Sequence, residues 1–205
     1  SSKKTYFLRF ILSILSHFVP RKIISCSYLG EKIHKKIGYS QNKFAVIHNG
    51  IDLNINTSKK LKFNDNGNKY KIGSIGRDSP QKNRKYFIEI IKNLQKYRDI
   101  DPYIVGRGVT KSKEIKNNLL INKVKANLFE NQSSIEKIFA EIDILIVTSL
   151  YGEGCPNVII EAMLSGLIVF STNVGDANYI LGEQDLIIPD EDSTLAANKI
   201  LNKSS

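Results

Sequence analysis

The sequence predicts an α/β protein built on a parallel sheet with helices covering both faces. Three observations carry this. From Tyr70 onward, short apolar runs alternate with helical patterns. The runs are almost continuously apolar, as in "DILIVTS" and "LIVFST", which suits strands buried on both sides. Of the 205 residues, 41% are hydrophobic, enough for a real core.

The elements follow in order. "YFLRFILSILSHFV" (6–19) is apolar and flanked by Lys3, Lys4, Arg21 and Lys22. It falls short of the ~20 residues of a membrane-spanning helix, and Arg9 interrupts it. It suits a helix lying in a membrane interface, or a core helix whose partners lie elsewhere. "KIISCS" reads as a short buried strand, "YLGEKIHKKIGYS" as a helix ending at Gly38, and "KFAVIHNGID" as a strand running into an Asn-Gly turn. The polar stretch "LNINTSKKLKFNDNGNK" reads as a linker or exposed hairpin. Strands "YKIGSIG", "PYIVG", "VKANLF", "DILIVTS", "LIVFST" and "DLIIP" then alternate with helices "NRKYFIEIIKNLQKY", "KEIKNNLLIN", "SIEKIFAEI", "NVIIEAMLSG" and "STLAANKILN". No repeat interrupts them.

The net charge of +10 is uneven. Lys59 to Lys125 holds 18 basic and 6 acidic residues, whereas Glu141 to Asn198 holds 10 acidic residues and no Lys or Arg. A basic half points to an anionic partner, or to a lysine-rich solvated surface. Cys26 and Cys155 make no disulfide framework, as expected in a reducing compartment. No signal peptide is visible, and the opening "SSKK" without methionine reads as a piece of a longer chain.

Several chemistries lack their sequence. Gly73 and Gly76 complete no G-x-G-x-x-G fingerprint, no G-x-x-x-x-G-K-[ST] occurs, and His17, His34 and His48 are scattered away from zinc spacing. Ligands of a parallel sheet bind beyond the carboxyl ends of its strands. "GRDSPQK", "GRG", "FENQ", "TSLYGEGCPN" and "STNVGD" follow strands and gather on that edge; "DID" (99–101) precedes a strand and falls on the other. Arg77 and Lys82 at the edge can clamp a diphosphate, or be two solvated cations. "GEGCPN" leads into a helix beginning near Asn157, whose free N–H groups and dipole suit an anion or sugar hydroxyls. Gly154 permits close backbone approach, Glu153 faces the edge, and Cys155 reads as an inert space-filler. Glu161 lies among Val158, Ile159, Ile160, Ala162 and Met163, where a carboxylate needs a hydrogen-bonding partner such as ribose hydroxyls.

"VIHNGID", "IGRDSPQKN" and "EGCPNVIIEAMLSGLIVFSTNVGD" together resemble the donor-nucleotide half of a retaining GT-B glycosyltransferase of the family 4 type, over roughly residues 22 to 200. Glu153 and Glu161 match that family's E-x7-E, Arg77 and Lys82 its diphosphate clamp, and Asn49-Gly50 its crossover signature. The segment "TSLYGEG" is one residue longer than the commonest form. The resemblance implies a Rossmann-like sheet forming the C-terminal half of a GT-B fold. Residues 1–45 would be the tail of an N-terminal acceptor domain and 46–205 the nucleotide-sugar domain, inactive in transfer without the rest.

The resemblance further implies a UDP-sugar donor and no required metal or cofactor. Arg77, Lys82 and the amides of Asn157 and Val158 would stabilise the leaving diphosphate, with Gly154, Cys155 and Pro156 lining the donor loop. Glu161 would hold the ribose, Glu153 the sugar, and uracil would lie against backbone near Glu130 and Asn131. It implies retention, and an acceptor that is a glycan or a lipid-diphosphate-linked glycan of surface polysaccharide (O-antigen or capsule), at the cytoplasmic face of the plasma membrane with the anionic surface as a partner. Two other classes compete. A nucleic-acid-binding module would need an aromatic-interleaved basic stripe or helix-turn-helix. A GT-B sugar epimerase would not carry this E-x7-E segment.

Overall fold

The structure, a computed structural model, describes residues 3–51, 69–130 and 135–203. The chain opens with helix α1 (Lys3–Leu15). Strand β1 (Ile23–Ser25), helix α2 (Tyr28–Lys36) and strand β2 (Phe44–Val46) form a small unit whose two strands pair in parallel. The polar stretch expected as a linker lies almost wholly outside the described residues.

The larger unit is a six-stranded sheet. Its strands are β3 (Tyr70–Ile75), β4 (Ile100–Val105), β5 (Asn127–Phe129), β6 (Ile144–Val147), β7 (Ile168–Thr172) and β8 (Ile187–Ile188). They lie in the order β5-β4-β3-β6-β7-β8, and every neighbouring pair is parallel. Helices α3 (Arg84–Leu94), α4 (Lys113–Asn122), α5 (Ile135–Glu141), α6 (Asn157–Leu164), α7 (Ala177–Leu181) and α8 (Ser193–Lys203) connect them. The short helix α7 falls in "DANYILG", to which the apolar pattern assigns no element.

Two apolar layers sandwich the sheet. On one face Phe87, Ile91 and Leu94 of α3, Ile115 of α4 and Ala197 and Ile200 of α8 pack on Ile72, Ile104 and Phe170. On the other, Phe139 of α5, Ile159 and Ala162 of α6 and Leu181 of α7 pack on Leu145, Val147 and Val169. All four residues of β6 are buried, so its sequence "ILIV" shows no alternation. Strand β4 begins at Ile100, two residues earlier than "PYIVG" suggests, and so has Pro102 in its interior rather than at its start. The bonds from Tyr70 N to Asp99 O and from Gly76 N to Val105 O show that odd-numbered residues of β4 face β3. Pro102 therefore faces the β5 side, where pairing starts only at Tyr103, and its missing N–H leaves no ladder bond open.

After β3 the chain runs outward to β5 and then returns to place β6 on the other side of β3. The order reverses between β3 and β6, and a crevice opens there at the carboxyl ends.

Candidate functional site

The loops after β3 and β6 flank the crevice, and the sequence candidates meet in it. Lys82 ends a 3-10 turn, Pro80–Lys82, in the loop after β3. Its Nζ donates to Glu153 Oε1 at 2.6 Å, with side chains 16% and 15% exposed. Gln81 Nε2 and Ser149 Oγ donate to the same oxygen at 3.1 and 3.0 Å. Arg77 is exposed, and its Nη2 donates to Gln81 Oε1 at 3.4 Å. Gln81 thus bridges Arg77 to Glu153. Arg77 and Lys82 do not form an isolated pair of cations: one is tied to a neutral amide, the other to a carboxylate.

The β3 and β4 loops touch at backbone level. Gly106 has φ +147, and a Cβ there would collide with the carbonyl oxygen of Gly76. Beside this contact lies a cleft of about 340 Å³ between Gly76–Arg77, Gly106–Arg107 and the side chains of Ile135 and Ile138. Glu130, at the next loop, accepts from Gly108 N at 2.6 Å and Thr110 Oγ at 2.6 Å. These bonds, the Gly108 amide first, hold its carboxyl below the usual carboxylate range. Asn131 lies outside the described residues.

Helix α6 begins at Asn157 as expected, behind Pro156, with no side chain capping it. Ile159 N donates to Pro156 O at 3.0 Å, so among the described residues it is the N–H groups of Asn157 and Val158 that keep capacity for a ligand. Asn157 Oδ1 accepts from Asn49 Nδ2 at 2.8 Å, so the Asn-Gly turn does reach the site. Cys155 is buried, and burial pushes its thiol up. The close approach at Gly154 is taken up within the protein: a Cβ there would meet Ser27 Oγ at 3.2 Å and Cys26 Sγ at 3.3 Å. Glu161 sits one turn along α6 and is half-buried. Burial, then the charge of Glu136, raises its carboxyl. Among the described residues no hydrogen bond or ion pair reaches that carboxylate.

Sequence reading missed Asp176. Only 4% exposed, it accepts from the N–H groups of Tyr28 and Leu29 at 2.7 and 2.9 Å, and faces His48 Nε2 at 3.0 Å. Its own N–H donates to Gly154 O at 2.9 Å. The His48 ring stacks on Tyr179, with centroids 5.3 Å apart. This carboxylate ties the β1-α2-β2 unit to the loop that carries Glu153. Nothing local in "STNVGD" signals it, since its partners lie 128 to 148 positions away. Among the described residues no three His, Cys, Asp or Glu side chains converge as a metal site, and no helix is long and apolar enough to cross a membrane.

An open parallel sheet with a charged crevice at its switch point defines an α/β domain of the doubly wound kind, whose ligands bind at that edge. The family model described as glycosyl transferases group 1 matches residues 69–203, and the chain belongs to that family. No curated protein matches it. Among solved structures it is similar to Anabaena HepE in complex with UDP, at 22% identity and TM-score 0.80 over 95% of this chain and 57% of that one. It is also similar to S. aureus TarM in a complex that includes UDP (18%, 0.77, covering 100% and 40%). A third is the lipopolysaccharide outer core galactosyltransferase WaaB (14%, 0.73, covering 90% and 54%). At these identities the likeness is one of fold, the Rossmann-like half of a GT-B glycosyltransferase. The chain spans between 40% and 57% of the length of these three.

Proposed function

We propose that this chain is the donor-binding part of a retaining glycosyltransferase of the family 4 type that takes a UDP-sugar. The observation that carries the reading is the Lys82–Glu153 pair at the switch point, with Gln81 and Arg77 joined to it. An ammonium has three donors, so Lys82 can keep Glu153 and still meet a phosphate. That places a cation where charge develops on the leaving β-phosphate, and a carboxylate one bond away, where the sugar projects. Arg77 and the amides of Asn157 and Val158 complete the diphosphate contacts.

Glu161 holds the ribose. A half-buried carboxylate with no partner among the described residues gains most from two ligand hydroxyls. The nucleobase takes the cleft lined by Gly106 and Ile135. Glu153 favours positive charge at the anomeric carbon. The UDP complexes of the similar HepE and TarM support the choice of nucleotide. Residues 1–45 belong to the acceptor side, and 46–205 form the donor domain. The acceptor is a glycan on a lipid diphosphate for surface polysaccharide, met at the inner membrane face. The exposed apolar side chains of α1 and the neighbouring Arg21 and Lys22 support that location.

Calorimetric titration with UDP-, GDP- and ADP-glucose, with chelator present, tests the donor reading. Saturable binding of UDP-glucose without metal is expected; no binding by any of the three overturns it. Two variants separate the glutamates. Glu161→Ala should weaken UDP, while Glu153→Gln should spare UDP affinity yet slow turnover in the complete enzyme. The reverse pattern exchanges their roles.

A further inference from the structure

Arg84 is the first residue of α3 and is 6% exposed. One arm of its guanidinium donates to Ser74 Oγ and the other to Gly76 O, the latter at 2.6 Å. Its Nε–H is buried without a partner. Among the described residues no carboxylate forms an ion pair with it; exposed Asp78 acts on it only through its field. Burial lowers its pKa to about 10, so it stays charged at neutral pH. A buried cation without a carboxylate is costly, and the N-terminus of a helix is the wrong end for positive charge. Both penalties fall on one residue directly beneath the crevice.

Its surroundings show what offsets them. Gly76 stands between two cations. Its carbonyl accepts from Arg84, and a Cβ on it would lie 2.8 Å from Lys82 Cε and 3.4 Å from Lys82 Nζ. The charge of Lys82 is already met by Glu153 at 2.6 Å. Among the described residues, the cations of this corner without a carboxylate partner are Arg77 and Arg107, both exposed and screened by solvent, and Arg84, which is not.

We infer that Arg84 is the buried counter-charge of the donor diphosphate: it never touches the ligand, but it holds the Gly76 carbonyl and supplies from below the positive field that the anion completes. The inference rests on the donor reading above. A diphosphate in the crevice turns an uncompensated buried charge into a paired one. Arg84 then favours nucleoside diphosphates over nucleosides and contributes nothing to the base.

The test is calorimetric titration of the 205-residue chain with UDP and with uridine, comparing wild type, Arg84→Lys and Arg84→Gln. Wild type is measured first; if it binds no UDP, the donor reading itself is lost, which is a separate outcome. If it binds, Arg84→Gln, which removes the charge and keeps a polar amide, should weaken UDP about tenfold and leave uridine unchanged. Arg84→Lys, which keeps the charge, should restore most of the UDP affinity. If Arg84→Gln does not fold, Arg84→Met, of similar length and uncharged, takes its place with the same expectation. Parallel losses of UDP and uridine, equal losses in Lys and Gln, or unchanged UDP binding in the neutral variants would each overturn the inference.

Discussion

Residues 5–51 and residues 69–203 are held by different physics. The larger unit buries two apolar layers around its sheet. In the smaller one the only buried residues are serines: Ser13, Ser16, Ser27 and Ser40. Its large apolar side chains face outward, with Phe18 80%, Val19 72% and Phe7 67% exposed. What holds it is polar bonding and the packing of Tyr28 and His48 on the Tyr179 ring. Ser16 Oγ accepts from Ser40 N at 2.9 Å, His17 Nε2 meets Gly38 O at 3.1 Å, and Asp176 receives two amides of α2. Burial is worth about 1.5–3 kcal/mol per large apolar side chain, while a net hydrogen bond is worth about 0.5–1.5 kcal/mol. The larger unit is therefore the stable body, and the smaller one is fastened to it at a few named points, chiefly Asp176 and Asn157.

Four substitutions test that contrast, the largest effect first and set beside its exposed control. Phe170→Ala removes a fully buried ring from β7 and should cost about 3–5 kcal/mol in denaturant unfolding. Phe18→Ala, the same change on an exposed ring, should stay within about 0.5 kcal/mol; comparable losses at the two positions would break the comparison. Asp176→Ala strips two amides and His48 of their acceptor, a loss of about 1–3 kcal/mol. It should be confined to the smaller unit, so hydrogen exchange of Tyr28–Lys36 speeds up while that of β3 and β6 does not. Unchanged protection of α2 would show that Asp176 does not fasten it. Ser16→Ala should cost about 1 kcal/mol and accelerate exchange at Ser40 alone.

The smallest effect has the opposite sign. Burial and Glu136 hold the Glu161 carboxyl above its ordinary value of 4.5. The folded chain therefore binds that proton more tightly than the unfolded chain. Stability from this group is fully present below the ordinary carboxylate range and is lost as pH rises through the raised value. Glu161→Gln should raise the melting temperature of the free protein at pH 7, with the gain vanishing below pH 4.5. A lower melting temperature at pH 7 would mean that the carboxylate already has a stabilising partner.

The strands and helices from Tyr70 to Lys203 were legible in the sequence because a strand buried on both faces must be an unbroken apolar run, and a covering helix must carry an apolar stripe. Helix α7 was not, because five residues are too few to show a period. For the site, the position of each candidate beyond a strand's carboxyl end placed Arg77, Lys82, Glu153 and Asn157 on one edge before any coordinates. It could not show that Lys82 and Glu153, 71 positions apart, pair with each other. Nor could it show that Gln81 bridges Arg77 to them.

Arg84 makes the limit concrete. In "NRKYFIEII" nothing sets it apart from its neighbour, the exposed Lys85, and only the packing of α3 on β3 buries it under Gly76. By itself the sequence determined the parallel α/β sheet, the edge on which ligands bind and the residue types available there, because periodicity and strand-to-loop order are properties of the chain. The tertiary structure alone decided which charges are paired, which are buried without a partner, and that Asp176 joins the two units, because those depend on distances between segments far apart in the chain and on which of them exclude water.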